Sequence, residues 1–222
     1  MPKENTMTYA VIGLGNFGKA VAETMAAAGQ DVIALDKNAL AVQDVMETVP
    51  NAVCCDSMDI EMLKEAGIQD VDVAIVSMGS HLEASVTTIL NLKELGIEHV
   101  IAKATNERYK YVLERIGADT VIQPELEMGQ RVALSLMNPK IIDIFQITND
   151  YTIMEIKAPE LWCNRPIETL HLRSVYGVNI IGIRHGGASK VETEVSSEYV
   201  IQPDDYLVIA ANAARIAALD LD

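Results

Sequence analysis

Three closely spaced glycines near the N-terminus offer the clearest chemistry, in the stretch Gly13-Leu14-Gly15-Asn16-Phe17-Gly18. The stretch follows an apolar run, Tyr9–Ile12, and opens a pattern typical of a helix. In that setting Gly13 permits a tight turn, Gly15 lets a pyrophosphate approach the backbone, and Gly18 lets helix and strand pack closely. The free N–H groups at such a helix start attract phosphate. The motif therefore predicts a dinucleotide-type phosphate site.

An acidic residue follows at the position that this site requires. Asp36 ends the next apolar run, Val32–Leu35. A carboxylate there accepts hydrogen bonds from ribose hydroxyls and repels a 2′-phosphate, which disfavours NADP. The alternative is that Asp36 caps a helix predicted over 38–48, a role that Asn38 can also fill.

Polar residues also follow two later strands. Asp56 and Ser57 lie where an adenine edge is expected, although Ser57 or Asp59 can instead cap a helix over 59–66. Lys103 ends the fifth predicted strand and would bring positive charge to a phosphate. The alternative for Lys103 is a side chain that only extends from the strand end into solvent.

The first part of the chain alternates short apolar runs with helical patterns. The predicted strands are Thr8–Leu14, Asp31–Leu35, Ala52–Cys55, Val73–Ser77, His99–Lys103 and Thr120–Ile122. The predicted helices cover 16–28, 38–48, 59–66, 80–95 and 106–116. Strands that are apolar on both faces and alternate with helices predict an α/β fold, a doubly wound Rossmann parallel sheet.

The pattern changes after Pro124. One more helix is predicted over Glu125–Met137, closed by Asn138-Pro139. Four strands are predicted beyond it, at Ile141–Thr148, Thr152–Ala158, Asn179–His185 and Tyr206–Ala210, with turns such as Asn149-Asp150 between them. We therefore expect a nucleotide-binding domain over 1–139 and a small α+β lobe over 140–222.

The bulk composition limits the possible partners. The chain has 222 residues and a net charge of −15, which disfavours direct binding to nucleic acid or anionic lipid. No apolar run reaches the length of a membrane-spanning helix, and residues 1–5 lack the layout of a secretory signal. The cysteines, Cys54, Cys55 and Cys163, form no disulfide framework, and the first two are interpreted as small buried residues. These features predict a cytoplasmic protein.

Neither the histidines nor the cysteines form a catalytic pattern. The four histidines show no metal-ligand spacing, and no nucleophile–base set is evident.

The helix predicted over 80–95 is apolar on more than one face. It is either buried on two sides within its lobe or, the favoured interpretation, in contact with another subunit.

Several of these segments together resemble a known family. The stretches GLGNFG, DVIALD, CCDSMD, IAKATN and GADTVIQPELEMG, followed by WCNRPIETLHLRSVYGVNIIGIRHGG and QPDDYLVIAA, are similar to the KtrA/TrkA proteins. These are the RCK (regulator of potassium conductance) subunits of bacterial potassium transporters. The similarity covers essentially the whole chain, and its length is similar to that of a Ktr-type subunit with a single RCK unit.

This resemblance implies a regulatory protein and not an enzyme. Such subunits form homodimers that assemble into a ring, an octamer in the family, on the cytoplasmic face of a membrane potassium-translocating partner. ATP or ADP, and in some members NAD(H), binds the first lobe and biases the pore through the dimer geometry. The implied nucleotide contacts are Gly13, Gly15, Asn16, Phe17, Gly18, Asp36, Lys37, Asp56, Ser57 and Lys103. Glu125 matches a glutamate that holds Mg²⁺ or another divalent cation near the phosphates.

Two positions depart from the family pattern. Many relatives have an arginine where this chain has Asn16, which leaves open whether ATP, ADP or NAD(H) is preferred. The second lobe of some members binds cyclic di-AMP through an Asp-x-Arg-x5-Asn pattern. Here Arg173 and Asn179 match, and His171 stands at the Asp position. The resemblance implies a second ligand site at Arg173, Asn179, Ile180 and His185, and the alternative is that Arg173 and Asn179 only close a loop.

Two other functions remain as alternatives. An NAD(H)-dependent oxidoreductase would need a proton donor facing the nicotinamide, and the second lobe offers only His171 and His185 without a recognisable supporting acid. A stand-alone redox or nucleotide sensor would have a similar sequence and differ only in its partner.

Overall fold

The computed structural model describes residues 7–79, 81–137, 140–148 and 151–212. The turns predicted at Asn138-Pro139 and Asn149-Asp150, and the segment 1–5, lie outside these residues. The chain divides into two compact units, Met1–Leu126 and Glu127–Asp222. This division falls within a helix, Pro124–Met137, and upstream of the domain boundary predicted after residue 139.

The first unit contains six strands that agree closely with the sequence prediction. They are β1 (Thr8–Ile12), β2 (Asp31–Asp36), β3 (Ala52–Cys54), β4 (Val73–Val76), β5 (His99–Lys103) and β6 (Thr120–Ile122). Its helices are α1 (Asn16–Ala27), α2 (Ala39–Gln43), α3 (Ile60–Glu65), α4 (Leu82–Glu94) and α5 (Glu107–Ile116), and α6 (Pro124–Met137) follows.

All six strands form one parallel sheet in the order β3-β2-β1-β4-β5-β6. The order reverses between β1 and β4, so the connections that leave these two strands run to opposite sides of the sheet. A crevice opens at that point, outside the carboxyl ends of the strands. The predicted doubly wound α/β fold is confirmed.

Alternate residues of each central strand bury opposite faces of this sheet. In β1, Ala10 and Ile12 belong to one apolar core and Val11 belongs to the other. All three are at most 1% exposed. Because helices cover both faces, these strands contain continuous apolar runs instead of alternating apolar and polar residues. This buried sheet holds the ends of β1, β2 and β4 in fixed positions.

Two helices differ in detail from their predictions. Helix α2 ends at Gln43 although a helix was predicted to 48, because bonds such as Val45 N–H to the Val42 carbonyl tighten the chain into turns. In α4, Ile89 and Leu92 are fully buried within the lobe, and Leu90 is 49% exposed. Burial within the lobe therefore explains most of the apolar surface that had favoured a subunit contact.

The second unit is a small α+β lobe, as predicted. Its strands β7 (Ile141–Thr148), β8 (Tyr151–Lys157), β9 (Val178–Arg184) and β10 (Tyr206–Asn212) form an antiparallel sheet in the order β7-β8-β10-β9. Two short helices, α7 (Ile167–Leu170) and α8 (Leu172–Val175), precede β9. Trp162 is buried in the core of this lobe, and its ring lies 5.5 Å from that of Tyr176.

Across the ranges that the structure describes, no helix is both long and apolar enough to span a membrane.

Candidate functional site

The glycine loop between β1 and α1 is held by hydrogen bonds to β2 and to the residue that follows β4. Gly13 has a φ of +92°, a backbone conformation that residues with a side chain rarely adopt. Its N–H donates to the Leu35 carbonyl at 2.7 Å, and its carbonyl accepts from the Ser77 hydroxyl at 2.6 Å. The turn is therefore fixed before any ligand arrives.

The other two glycines of the motif have contrasting surroundings. A Cβ at Gly18 would lie 1.9 Å from the Gly13 carbonyl oxygen, so only glycine fits where α1 crosses the loop. A Cβ at Gly15 would meet no atom within 4 Å, and Gly15 has an ordinary φ of −67°. Gly15 therefore borders open space directly at the start of α1, where a phosphate could approach the backbone.

Asp36 stabilises the same loop through two hydrogen bonds. Its two carboxylate oxygens accept from the N–H of Leu14 at 2.7 Å and from the N–H of Asn38 at 2.8 Å. The cap of α2 is Asn38, which accepts from Leu40 N–H, so the alternative role of Asp36 as that cap is not observed. Each oxygen retains a further lone pair for a ligand hydroxyl.

A cleft of about 240 Å³ opens at the reversal of strand order. It is lined by Ile12, Gly13, Gly15, Asp36, Lys37, Cys55, Asp56, Ser57, Met58, Ser77, Met78, His81 and Ala84. Six residues predicted as nucleotide contacts line it: Gly13, Gly15, Asp36, Lys37, Asp56 and Ser57. The predicted contacts Asn16, Phe17, Gly18 and Lys103 are not among the lining residues.

The wall formed by Ser77, Met78 and His81 was not predicted as part of the site. These residues follow β4, the strand on the other side of the reversal in strand order. Ligands of doubly wound sheets bind between the two strands where the order reverses. One feature of the sequence does indicate this wall, because the fourth apolar run ends at Val76, directly before Ser77.

Asp56 and Ser57 differ in accessibility. Ser57 is 5% exposed, and its hydroxyl lies 2.8 Å from that of Thr88 in α4. Asp56 is exposed, and one of its oxygens accepts from Met58 N–H at 3.0 Å. The cap of α3 is Asp59, so Ser57 ties the loop to α4 and Asp56 presents its charge at the cleft.

The cysteine pair splits between two environments. Cys55 is buried in the cleft wall, and burial followed by the nearby charge of Asp56 raises its thiol pKa to about 11. It is therefore a neutral, unreactive thiol at physiological pH. The prediction that both cysteines are buried is wrong for Cys54, which is exposed on the edge strand β3.

Lys103 and Glu125 form an ion pair beyond the cleft. The hydrogen bond from Lys103 lowers the pKa of Glu125 and keeps its carboxylate charged. The Lys103 ammonium also lies 5.8 Å from the centre of the Phe17 ring, in the first turn of α1. No group of three or more His, Cys, Asp or Glu residues among the described parts of the chain could hold a metal ion. The assignment of Glu125 as a ligand of a divalent cation near the phosphates stays a prediction.

The second unit contains a pocket of about 520 Å³. It contains three of the residues predicted to bind a second ligand, Arg173, Asn179 and Ile180, together with His171. His171 joins α7 to α8 with a left-handed φ of +46°, a conformation that Asp tolerates as well as His. Val195, Ser196 and Ser197 form another part of the lining.

His185 is not among the residues that line this pocket. Its Nδ1 lies 2.9 Å from the buried carboxylate of Asp205, and its Nε2 lies 3.4 Å from Glu192. Asp205 also accepts from the Tyr199 hydroxyl at 2.7 Å. The hydrogen bonds to Asp205 and then Glu192 raise the pKa of His185. This cluster ties the segment before β10 to the end of β9.

Comparison with known protein families matches both units. The TrkA-N domain matches residues 9–124, and the TrkA-C domain matches residues 151–220. Ktr system potassium uptake protein C of Bacillus subtilis strain 168 is 31% identical over 212 residues, covering 96% of this chain and 95% of that protein. Ktr system potassium uptake protein A of the same organism is 34% identical over 208 residues, covering 94% and 93%.

Solved structures share the fold. The GsuK RCK domain superposes with a TM-score of 0.66 at 16% identity, covering 99% of this chain and 48% of that one. The GsuK channel bound to NAD gives 0.67 at 16% identity, covering 99% and 40%. This chain thus spans about half or less of those longer chains.

The two domain matches and the similarity to both Bacillus proteins along nearly the whole chain agree with the architecture described above. The chain belongs to the TrkA-domain (RCK) family that includes the Ktr system potassium uptake proteins.

Proposed function

We propose that this chain is a cytoplasmic regulatory subunit of a potassium uptake system, which switches a membrane potassium-translocating partner when an adenine nucleotide binds its first lobe. The observation that carries the proposal is the preformed cleft, in which Gly15 leaves open space at the start of α1 and Asp36 stands at the end of β2. The similarity to Ktr proteins supports the potassium connection. No catalytic role is proposed.

The cleft favours a nucleotide without a 2′-phosphate. Asp36 and Asp56 both present carboxylates to it, so a 2′-phosphate there would be repelled. ATP or ADP is proposed as the ligand, and NAD(H) is the alternative. A divalent cation at Glu125 would need phosphate oxygens of the bound nucleotide as further ligands.

A homodimer is proposed because much apolar surface is left open. Helix α6 has no buried residue, and its exposed side chains include Leu126, Met128, Val132, Leu134, Leu136 and Met137. In β7, Ile142, Phe145 and Ile147 are about half exposed or more. Exposed apolar side chains in such number on one helix and one strand are typical of a contact with another chain. We propose a second copy as the partner and a ring of such dimers, an octamer, as the assembly.

Potassium uptake in the source cell tests this function. Removing the chain should slow uptake from low external potassium, and wild-type protein should restore it. A variant whose nucleotide binding is abolished should not restore uptake at equal expression. Normal uptake without the chain would contradict the proposed role.

Cyclic di-AMP is proposed as the ligand of the second pocket. Arg173 is exposed at its rim and can pair with a phosphodiester, and Ile180 offers an apolar wall to adenine. His185, which lies outside the pocket lining, is proposed to act only through the loop that it anchors.

Arg173→Ala should weaken cyclic di-AMP binding by at least about tenfold, since a charge-assisted contact contributes about 1.5–3 kcal/mol. Binding of ATP should not change. Isothermal titration calorimetry with both ligands measures this. Arg165→Ala is the matched control, because Arg165 is exposed in the same unit but does not line the pocket. Loss of both ligands in Arg173→Ala would mean that Arg173 supports the fold.

A further inference from the structure

Lys103 places a positive charge near the glycine loop. Its side chain is only 13% exposed, although it carries an ammonium. It packs along Gly79, where an added Cβ would lie 3.3 Å from Lys103 Cε. Its ammonium lies 5.8 Å from the ring of Phe17, two residues after Gly15. The charge therefore lies near the first turn of α1. The terminal phosphates of a nucleotide bound at the glycine loop would come close to this turn.

The ammonium is already neutralised by a carboxylate of the same lobe. Lys103 ends β5, and Glu125 follows the adjacent parallel strand β6, whose Ile122 pairs with Lys103. The Glu125 side chain is 63% exposed, so little packing holds it in this contact. An exposed carboxylate therefore pairs with an ammonium whose side chain is mostly shielded from solvent.

We infer that Glu125 competes with the ligand phosphate for Lys103 and thereby sets how strongly this lobe prefers phosphorylated nucleotides over uncharged nucleosides. The inference rests on the proposed nucleotide site and gives Glu125 a role in one chain without any metal. A phosphate that reaches Lys103 must displace the carboxylate or share the ammonium with it, and either event weakens the net attraction. An uncharged nucleoside bound only to the cleft does not engage this competition.

The test is calorimetric titration of the full chain with ATP, in EDTA so that no divalent cation bridges the carboxylate and the phosphates. Glu125→Gln should bind ATP about fivefold more tightly than wild type, the upper range for a partly exposed ion pair. Adenosine, measured by competition, should bind both proteins equally. Glu125→Asp keeps the charge but withdraws it by one methylene, so it should also bind ATP more tightly than wild type.

Two controls distinguish competition for Lys103 from simple electrostatic repulsion between Glu125 and ATP. Glu127→Gln removes an equal charge from the same helix and should leave ATP affinity unchanged. In a Lys103→Gln background, Glu125→Gln should change ATP affinity by less than about twofold, because the residue for which it competes is gone. Equal tightening in both backgrounds would overturn the inference and indicate general repulsion.

The outcomes also separate this inference from the proposed function. If wild type binds ATP but Glu125→Gln and Glu125→Asp bind it no more tightly, the competition is refuted and the nucleotide site stands. If neither wild type nor any variant binds ATP or adenosine, both the site and the competition are refuted. Thermal unfolding of each variant checks that altered binding does not reflect a loss of folded protein.

Discussion

Replacing Gly18 by alanine should destabilise the first lobe by about 3 kcal/mol or more, at the upper end of the cost of overpacking. The added Cβ would meet the Gly13 carbonyl at 1.9 Å and the Ser77 hydroxyl at 2.5 Å. Both atoms belong to the hydrogen bond that fixes the loop, so neither can move without breaking it. Urea denaturation measures the loss, and nucleotide binding should disappear with it.

Gly15→Ala is the matched control and should behave in the opposite way. Its φ of −67° suits alanine, and no atom lies within 4 Å of the added Cβ, so stability should change by no more than about 0.5 kcal/mol. The methyl group would nevertheless enter the space proposed for phosphate. ATP affinity should fall at least about tenfold, or about 1.4 kcal/mol. Unchanged affinity in a folded Gly15→Ala protein would place the phosphates elsewhere.

Asp36→Ala should reduce both nucleotide affinity and stability. Loss of ribose hydrogen bonds should weaken binding by about 1–3 kcal/mol. The same change leaves the N–H groups of Leu14 and Asn38 without their acceptor, which should lower the free energy of unfolding by about 2 kcal/mol. Calorimetry and urea denaturation measure the two effects separately.

Asp36→Asn distinguishes the two roles of this residue. The amide keeps one acceptor oxygen for the loop and removes the negative charge that repels a 2′-phosphate. Because the other oxygen becomes an NH2 donor, only one of the two backbone N–H groups regains an acceptor. We therefore expect part of the lost stability to return and NADPH to be rejected less strongly. If Asp36→Ala binds ATP as wild type does, Asp36 is a structural residue only.

The sequence predicted the first lobe well because its signals are local and mutually consistent. Each central strand is apolar on both faces, and the glycine loop joins a strand to a helix in a known geometry. Helix α2 was predicted too long because Val42, Val45 and Val49 keep a helical spacing, and all three are buried whether the chain forms a helix or tight turns. The spacing of apolar residues indicates which residues are buried. It does not distinguish a helix from a series of tight turns.

The parts of the site that were missed depend on contacts between distant segments. The wall of the cleft at Ser77 and Met78 follows from the strand order, which no single segment encodes. The pairing of Lys103 with Glu125 follows from the adjacency of β5 and β6. The helices α7 and α8 have four residues each, too few for a periodic pattern.

A regulatory role requires only modest binding energies. Shifting a two-state equilibrium from 1:99 to 99:1 takes about 5.5 kcal/mol of differential affinity. Divided among the sites of a proposed octameric ring, this is less than about 1 kcal/mol each, comparable to one hydrogen bond to phosphate. One additional phosphate contact per site in one of the two states would therefore be sufficient for the proposed switch.

Calorimetric titration of the purified wild-type chain with ATP, ADP, NADH and NADPH, with and without magnesium, tests the central claim most directly. We expect ATP or ADP to bind with one site per chain, NADPH to be rejected, and Gly15→Ala to lose most of the binding. The ratio of ATP to ADP affinity measures the consequence of Asn16. Binding of NADH alone would contradict the proposed switch by ATP or ADP, and binding of no nucleotide at all would contradict the proposed nucleotide site.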